Sequence, residues 1–215
     1  MWKESFDEKY ASRKLYWGNK PSSLVKNFAS LAQTGRALDL GMGEGRDTLF
    51  LARQGFSVTG IDHSEVGIEK CLSRAEKEGL QVNAIIGDVR KFKIARAKYS
   101  LIVANSLFQY ITKSEAQGVA RHIMQGLKKG GVVIASVFTY DDPRYKEFKR
   151  KTTELEPGSF LSVNGDIYSL YDFRELLCFF DPLRLLYYSE YDYLHNHGGR
   201  GEHWHGVAEL VARRK

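Results

Sequence analysis

The sequence predicts an α/β fold, a doubly wound and mostly parallel seven-stranded sheet ending in an antiparallel hairpin. Three observations predict it. From residue 37 onward, short aliphatic runs alternate with longer helical stretches. The first run leads into a glycine-rich turn, and the last two runs follow one another with only a polar turn between them. Alternation implies parallel strands joined by crossovers, whereas two strands in succession imply a hairpin.

Each element has its own signal. Residues 36–40 form the first strand and run into Gly41-Met42-Gly43-Glu44-Gly45; a helix with Leu49, Phe50, Leu51 and Ala52 on its apolar side ends at Gly55. Residues 57–62 read as a second strand and 65–77 as a helix closed by Gly79. A third strand, 82–86, ends near Asp88, and a fourth spans 99–104. Val119, Ile123 and Leu127 give 113–127 a helical spacing before a fifth strand at 131–137. The stretch 139–168 is polar and broken by Pro143 and Pro157, which predicts an inserted loop or lid. Ser169 to Asp172 has the spacing of a capping box and predicts a helix carrying Leu176, Leu177, Phe179 and Phe180. Residues 183–194 and 206–212 complete the sheet as a hairpin. The expected organisation is a helical lead-in, 1–35, that contributes to the pocket, followed by one domain, 36–215.

Bulk properties bound the function. The 215 residues are 43% hydrophobic and 27% charged, ordinary for a soluble domain with a sizeable core. No apolar run reaches the roughly 20 residues that span a bilayer, and the mixed-charge start lacks a signal-peptide pattern, so a cytoplasmic protein without membrane contact is expected. Cys71 and Cys178 share no metal-type spacing. The net charge of +6 comes from short basic groups beside turns and ends. That pattern suits a solvated surface or an anionic small substrate better than nucleic acid.

Ligands of open α/β sheets bind beyond the carboxyl ends of the strands, so the residues after each strand carry the chemistry. After the first strand stands Asp39-Leu40-Gly41-Met42-Gly43-Glu44-Gly45-Arg46. A dinucleotide site has G-x-G-x-x-G, and Arg46 occupies the place of its third glycine. Asp62, with His63 beside it, ends the second strand, where an acid accepts from ribose hydroxyls. Asp88-Val89 follows the third, and Asn105-Ser106-Leu107-Phe108-Gln109-Tyr110 follows the fourth. This last segment lacks the N-P-P-Y or D-P-P-Y pattern that grips a flipped base.

The D-x-G-x-G-x-G pattern resembles motif I of the class I methyltransferases. A narrower likeness, to the tellurite-resistance and thiopurine-type small-molecule methyltransferases, is carried by Tyr16-Trp17-Gly18 with Pro21, Gly45 to Ala52, and the hairpin near Ala212-Arg213. The resemblance implies a Rossmann-like sheet and an S-adenosylmethionine cofactor, yielding S-adenosylhomocysteine. The cofactor would be held by Tyr16, Trp17, Asp39, Gly41, Gly43, Gly45, Arg46, Asp62, His63, Asp88, Val89, Asn105, Ser106 and Phe108. Methyl transfer by in-line displacement to a small molecule such as a thiol or chalcogen oxyanion is the expected function, in a monomer or homodimer. RNA or protein methylation, an NAD-dependent oxidoreductase and a non-catalytic cofactor-binding module are the alternatives.

The acceptor side is carried by fewer signals. His195, His197, His203 and His205 cluster in the hairpin, but no Cys or acid completes a metal set, so no metal is expected. Leu194-His195 resembles a functional histidine of tellurite-type enzymes, with Asn196 where an Arg is expected and Arg200 nearby. His195, His197 and Tyr140 are the candidates for orienting the acceptor or taking its proton.

Overall fold

A computed structural model describes residues 2–11, 14–163, 165–196 and 202–215, with the backbone alone for 2–5, 195, 196, 202 and 203. Helices α1 (Trp2–Tyr10) and α2 (Ser23–Phe28) precede the sheet. There follow β1 (Arg36–Leu40), α3 (Arg46–Arg53), β2 (Ser57–Asp62), α4 (Glu65–Lys77), β3 (Val82–Ile86), β4 (Tyr99–Asn105), α5 (Lys113–Gly126) and β5 (Leu127–Phe138). An insert of α6 (Arg144–Lys151), β6 (Thr153–Glu156), β7 (Ser159–Leu161) and β8 (Ile167–Ser169) leads to α7 (Glu175–Phe179), β9 (Arg184–Asn196) and β10 (Glu202–Arg213).

The sheet order is β3-β2-β1-β4-β5-β10-β9. The first five strands are parallel, and β10 runs antiparallel to both β5 and β9. Because β1 and β4 both border the reversal of strand order, the crevice for a ligand opens between their carboxyl ends. Successive residues of β4 show how the sheet is packed. Ile102 and Ala104 face one apolar core with Leu38 and Leu40, while Leu101 and Val103 face a second with Ala37, Leu51 and Val25. A strand buried on both faces reads as a continuous apolar run, as 101–104 does.

Local chemistry sets the helix starts that surround the crevice. Gly45 caps α3 in the left-handed region at φ 79°, and a Cβ there would lie 2.2 Å from Cys71 Sγ. Only glycine fits. Ser64 caps α4 by accepting from Gly67 N, and Thr112 with Glu115 forms a reciprocal capping box on α5.

Two expectations need correction, the α5–β5 boundary and the Ser169 helix start, and the insert gains detail. Helix α5 stops at Gly126, and Leu127 is already extended and paired with Tyr99, so β5 starts three residues before the glycine pair. Within the insert at 139–168, β6, β7 and β8 form an antiparallel sheet over a fully buried Phe160. Ser169 belongs to that sheet rather than to a helix cap: its hydroxyl donates to Ile111 O and meets Ser159 Oγ, so the next helix waits until Glu175. Among the described residues, no helix is long and apolar enough to cross a membrane.

Candidate active site

A cavity of about 430 Å³ opens at the carboxyl ends of β1, β2 and β4. The glycine turn forms its floor, with Gly41, Gly43 and Gly45 all at positive φ. Gly41 N and Met42 N both donate to Ile61 O, tying the turn to β2. Asp62 Oδ2 accepts from Gly43 N at 2.8 Å and Oδ1 from Ser64 N at 2.9 Å, which fixes the carboxylate at the cavity wall. Each oxygen keeps a second lone pair for a hydroxyl.

The wall is acidic. Asp39, Glu44, Asp47, Asp62 and Asp88 all line the cavity, against Arg46 and Arg90. Burial, and then the charge of Asp47, push Asp39 up to about 7, although Thr48 Oγ1 donates to it at 2.6 Å. Burial also raises Asp62, opposed by the backbone N–H of Ser64. Asp88 is held below its ordinary value by the guanidinium of Arg90, whose Nε and Nη2 lie 2.7–3.0 Å from its two oxygens. Glu44 is committed to structure: Tyr16 N and Lys70 Nζ donate to its carboxylate, and Arg74 to its carbonyl.

The lead-in closes one side. Phe6 and Tyr10 of α1 line the cavity, and Asp7 holds the helix down by accepting from Ser64 Oγ at 2.5 Å. Trp17 Nε1 donates to Tyr10 OH, and Arg46 lies 5.8 Å from the centre of the Trp17 ring. At the end of β4, Asn105 joins two elements, donating to Asp47 of α3 and accepting from Ser136 of β5. Ser106 then turns the chain at φ 54°.

Of the sequence-predicted residues, Trp17, Asp39, Gly41, Gly43, Arg46, Asp62, His63, Asp88, Val89, Asn105 and Ser106 line this cavity. Gly45 and Tyr16 support it from behind, one as the α3 cap and the other through Glu44. Phe108 does not belong to it. The tight turn after Ser106 sends Leu107, Tyr110 and Ile111 toward the cavity and Phe108 into the core, fully buried near Phe179 and Phe180. Phe6, Tyr10 and Arg90 are cavity residues that the motifs do not single out. Only the aromatic richness of the first 35 residues signals the first two.

Tyr140 stands apart from the cavity lining. Its hydroxyl accepts from the buried Lys113 at 3.0 Å, its ring stacks on Tyr145, and Lys113 also binds Glu175. His195 pairs with His203 across β9 and β10 by backbone register, and His197 lies outside the described residues. His205 is buried beside the end of β5.

Residues 37–131 match a family model described as a methyltransferase domain. The matched segment, just under half of the chain, is a methyltransferase domain. A probable S-adenosyl-L-methionine-dependent methyltransferase TehB of Haemophilus influenzae is 28% identical over 121 residues, 55% of this chain and 42% of that protein. The crystal structure of TehB from Haemophilus influenzae superposes with a TM-score of 0.71 at 21% identity, covering 99% of this chain and 67% of that one. A carboxy-S-adenosyl-L-methionine synthase of Shewanella halifaxensis is 33% identical over 142 residues, 63% of this chain and 55% of that protein. The fold is also that of a Burkholderia thailandensis 1,6-didemethyltoxoflavin-N1-methyltransferase solved with S-adenosylhomocysteine, with a TM-score of 0.71, 17% identity, and coverage of 100% and 87%. The chain spans about half the length of the curated relatives it matches.

Proposed function

We propose that the protein transfers a methyl group from S-adenosylmethionine to a small-molecule acceptor. The observation that carries this reading is the charge of the cavity. A pyrophosphate bound there would face Asp39, Asp47 and Asp62 instead of a row of N–H donors, and like charges in a buried site repel strongly. A cofactor with a ribose, an ammonium and a sulfonium reverses the sign of that interaction. The donor set fits it: Asp62 accepts from ribose hydroxyls, Asp88 from the adenine amino group, Asp39 and Asp47 balance the cationic end, and Arg46 beside Trp17 receives the carboxylate. Ile86, Val89 and Met42 supply apolar cover for the base.

When bound, the cofactor supplies an electrophilic methyl carbon on sulfur. The chain's own part is alignment, because in-line displacement depends chiefly on holding the acceptor behind the methyl group and keeping water out. Ser106, Leu107 and Tyr110 are the residues that turn from the cofactor side toward the acceptor.

Calorimetric titration with S-adenosylmethionine, S-adenosylhomocysteine and NAD tests the reading. Micromolar binding of both methionine-derived ligands and none of NAD is expected. Tight NAD binding without response to the other two would overturn it. A screen of thiols, carboxylic acids, chalcogen oxyanions and small phenols with labelled methyl then identifies the acceptor.

A further inference from the structure

Beyond the cavity, the carboxyl edge of the sheet carries a buried polar cluster from three separate elements. Asp142 follows β5, Arg144 opens α6, and His205 lies on β10, 63 positions from Asp142. The Asp142 side chain is fully buried. Burial alone would raise its pKa, but hydrogen bonds from Arg144 and His205 hold it at about 2, so it is ionised near neutrality. An ionised carboxylate only accepts. His205 Nδ1 lies 2.7 Å from Asp142 Oδ2 and 3.1 Å from Arg144 Nη2, so the ring is in contact with both groups.

The same carboxylate clamps Arg144. Nε donates to Oδ1 and Nη2 to Oδ2, both at 2.7 Å, and the guanidinium lies 4.3 Å from the centre of the Phe138 ring. His205 stacks on Phe138 as well, at 4.8 Å. A fork held on a carboxylate and an aromatic ring has already lost its rotamer freedom, so little is lost again on binding. The clamp uses Nε and Nη2. Among the described residues, Nη1 makes no hydrogen bond, and the Arg144 side chain is 31% exposed.

Phe138, against whose ring Arg144 and His205 lie, stands two residues along β5 from Ser136, and Ser136 Oγ accepts from Ser106 N of the cavity wall. The positive charge of Arg144 acts on Tyr110, which lines the cavity, and on Tyr193, the residue paired with His205. The charge of Arg46 reaches Tyr193 from the cofactor side. Gly206 makes the arrangement possible: a Cβ there would lie 2.5 Å from Thr139 Oγ1 and 2.7 Å from Asp142 N, so only glycine lets the 139–142 turn lie on β10.

We propose that Arg144, clamped by Asp142 and His205, is the anchor for an organic carboxylate on the methyl acceptor. Nη1 and the outer edge of the guanidinium take the carboxylate, and the rings of Phe138, Tyr110 and Tyr193 take the planar remainder. This rests on the reading of the cavity as the cofactor site, so S-adenosylhomocysteine binding is measured separately from acceptor binding.

The test uses the full chain saturated with S-adenosylhomocysteine, titrated with benzoate and with its neutral isostere benzamide, followed by histidine-ring ¹H–¹⁵N spectra. Benzoate is expected to bind at least ten-fold more tightly than benzamide and to shift the His205 signals. Arg144→Gln is expected to lose that preference while S-adenosylhomocysteine affinity, by calorimetry, stays within two-fold. If Arg144→Gln unfolds, wild-type affinity for benzoate is read against salt, where a several-fold loss between 50 and 500 mM is expected on the order of screening lengths. Equal binding of benzoate and benzamide, no benzoate binding to the wild-type complex, or unchanged benzoate affinity in Arg144→Gln would each overturn the proposal. Failure of S-adenosylhomocysteine to bind at all would instead overturn the cofactor reading.

Discussion

The two sides of the site are built in different ways. On the cofactor side, the β1 turn, Asp62, Asp88 and Asn105 each stand directly after a strand, and the backbone fixes them: Gly43 N and Ser64 N hold Asp62, and the glycine turn hangs from Ile61 O. On the proposed acceptor side, Asp142, Arg144 and His205 come from segments far apart in the chain and hold one another through side chains. The first construction survives changes elsewhere because each part is local. The second depends on the insert, the end of β5 and the hairpin meeting correctly.

Substitutions can break that contrast, beginning with the largest effect. Phe108→Ala removes a fully buried ring from the core below the cavity and should cost about 3–5 kcal/mol of stability in urea unfolding. Its affinity for S-adenosylhomocysteine, measured where the variant is folded, should hardly change. A large loss of affinity in a stable Phe108→Ala protein would return that residue to the site. Asp62→Ala should weaken S-adenosylhomocysteine by about 2–3 kcal/mol, since the charged acceptor is lost and the N–H groups of Gly43 and Ser64 are left without it. Unchanged affinity by calorimetry would remove Asp62 from the ribose position.

The third prediction concerns pH. Asp39 is raised from 3.8 to about 7 in the folded protein, chiefly by burial and by Asp47. Between those values the folded chain keeps a proton that the unfolded chain has released, so stability falls as pH rises through that window and levels off above it. Asp39→Asn should therefore raise the urea midpoint of the ligand-free protein at pH 8, by on the order of 1 kcal/mol, with the gain shrinking toward pH 4. A pH-independent effect would contradict the assignment. The smallest effect is expected at Tyr140→Phe, which loses the hydroxyl bonded to Lys113 and should cost about 1 kcal/mol of stability. Turnover on the acceptor found by screening should remain within a few-fold; a hundred-fold drop would give Tyr140 a part in the chemistry.

The same contrast explains what could be read in advance. Asp62 and Asp88 were legible because a strand fixes the place of the residue that follows it, and the strand runs are unambiguous in the aliphatic pattern. Phe108 was misplaced because the positive φ of Ser106 and the tight turn after it rotate consecutive side chains in opposite directions, which no period of 2 or 3.6 anticipates. The insert hid its small sheet because strands of three or four residues, half of them polar, carry too little pattern to register. In the hairpin, four histidines at alternating spacing look alike in the sequence, and the approach of Asp142 marks out His205 among the described side chains.

The sequence by itself therefore determined the α/β class, the parallel strands, the glycine turn with its left-handed residues and the acids at the strand ends, because each follows from short-range periodicity and backbone sterics. Tertiary structure alone decided that Tyr10 and Phe6 close over the cavity, that Asp39 sits buried against Asp47 with its pKa near 7, and that Asp142 gathers Arg144 and His205 into one cluster. The physical reason is range. Periodicity and turn chemistry act over a few residues, whereas burial and buried charge pairing depend on which distant segments arrive together.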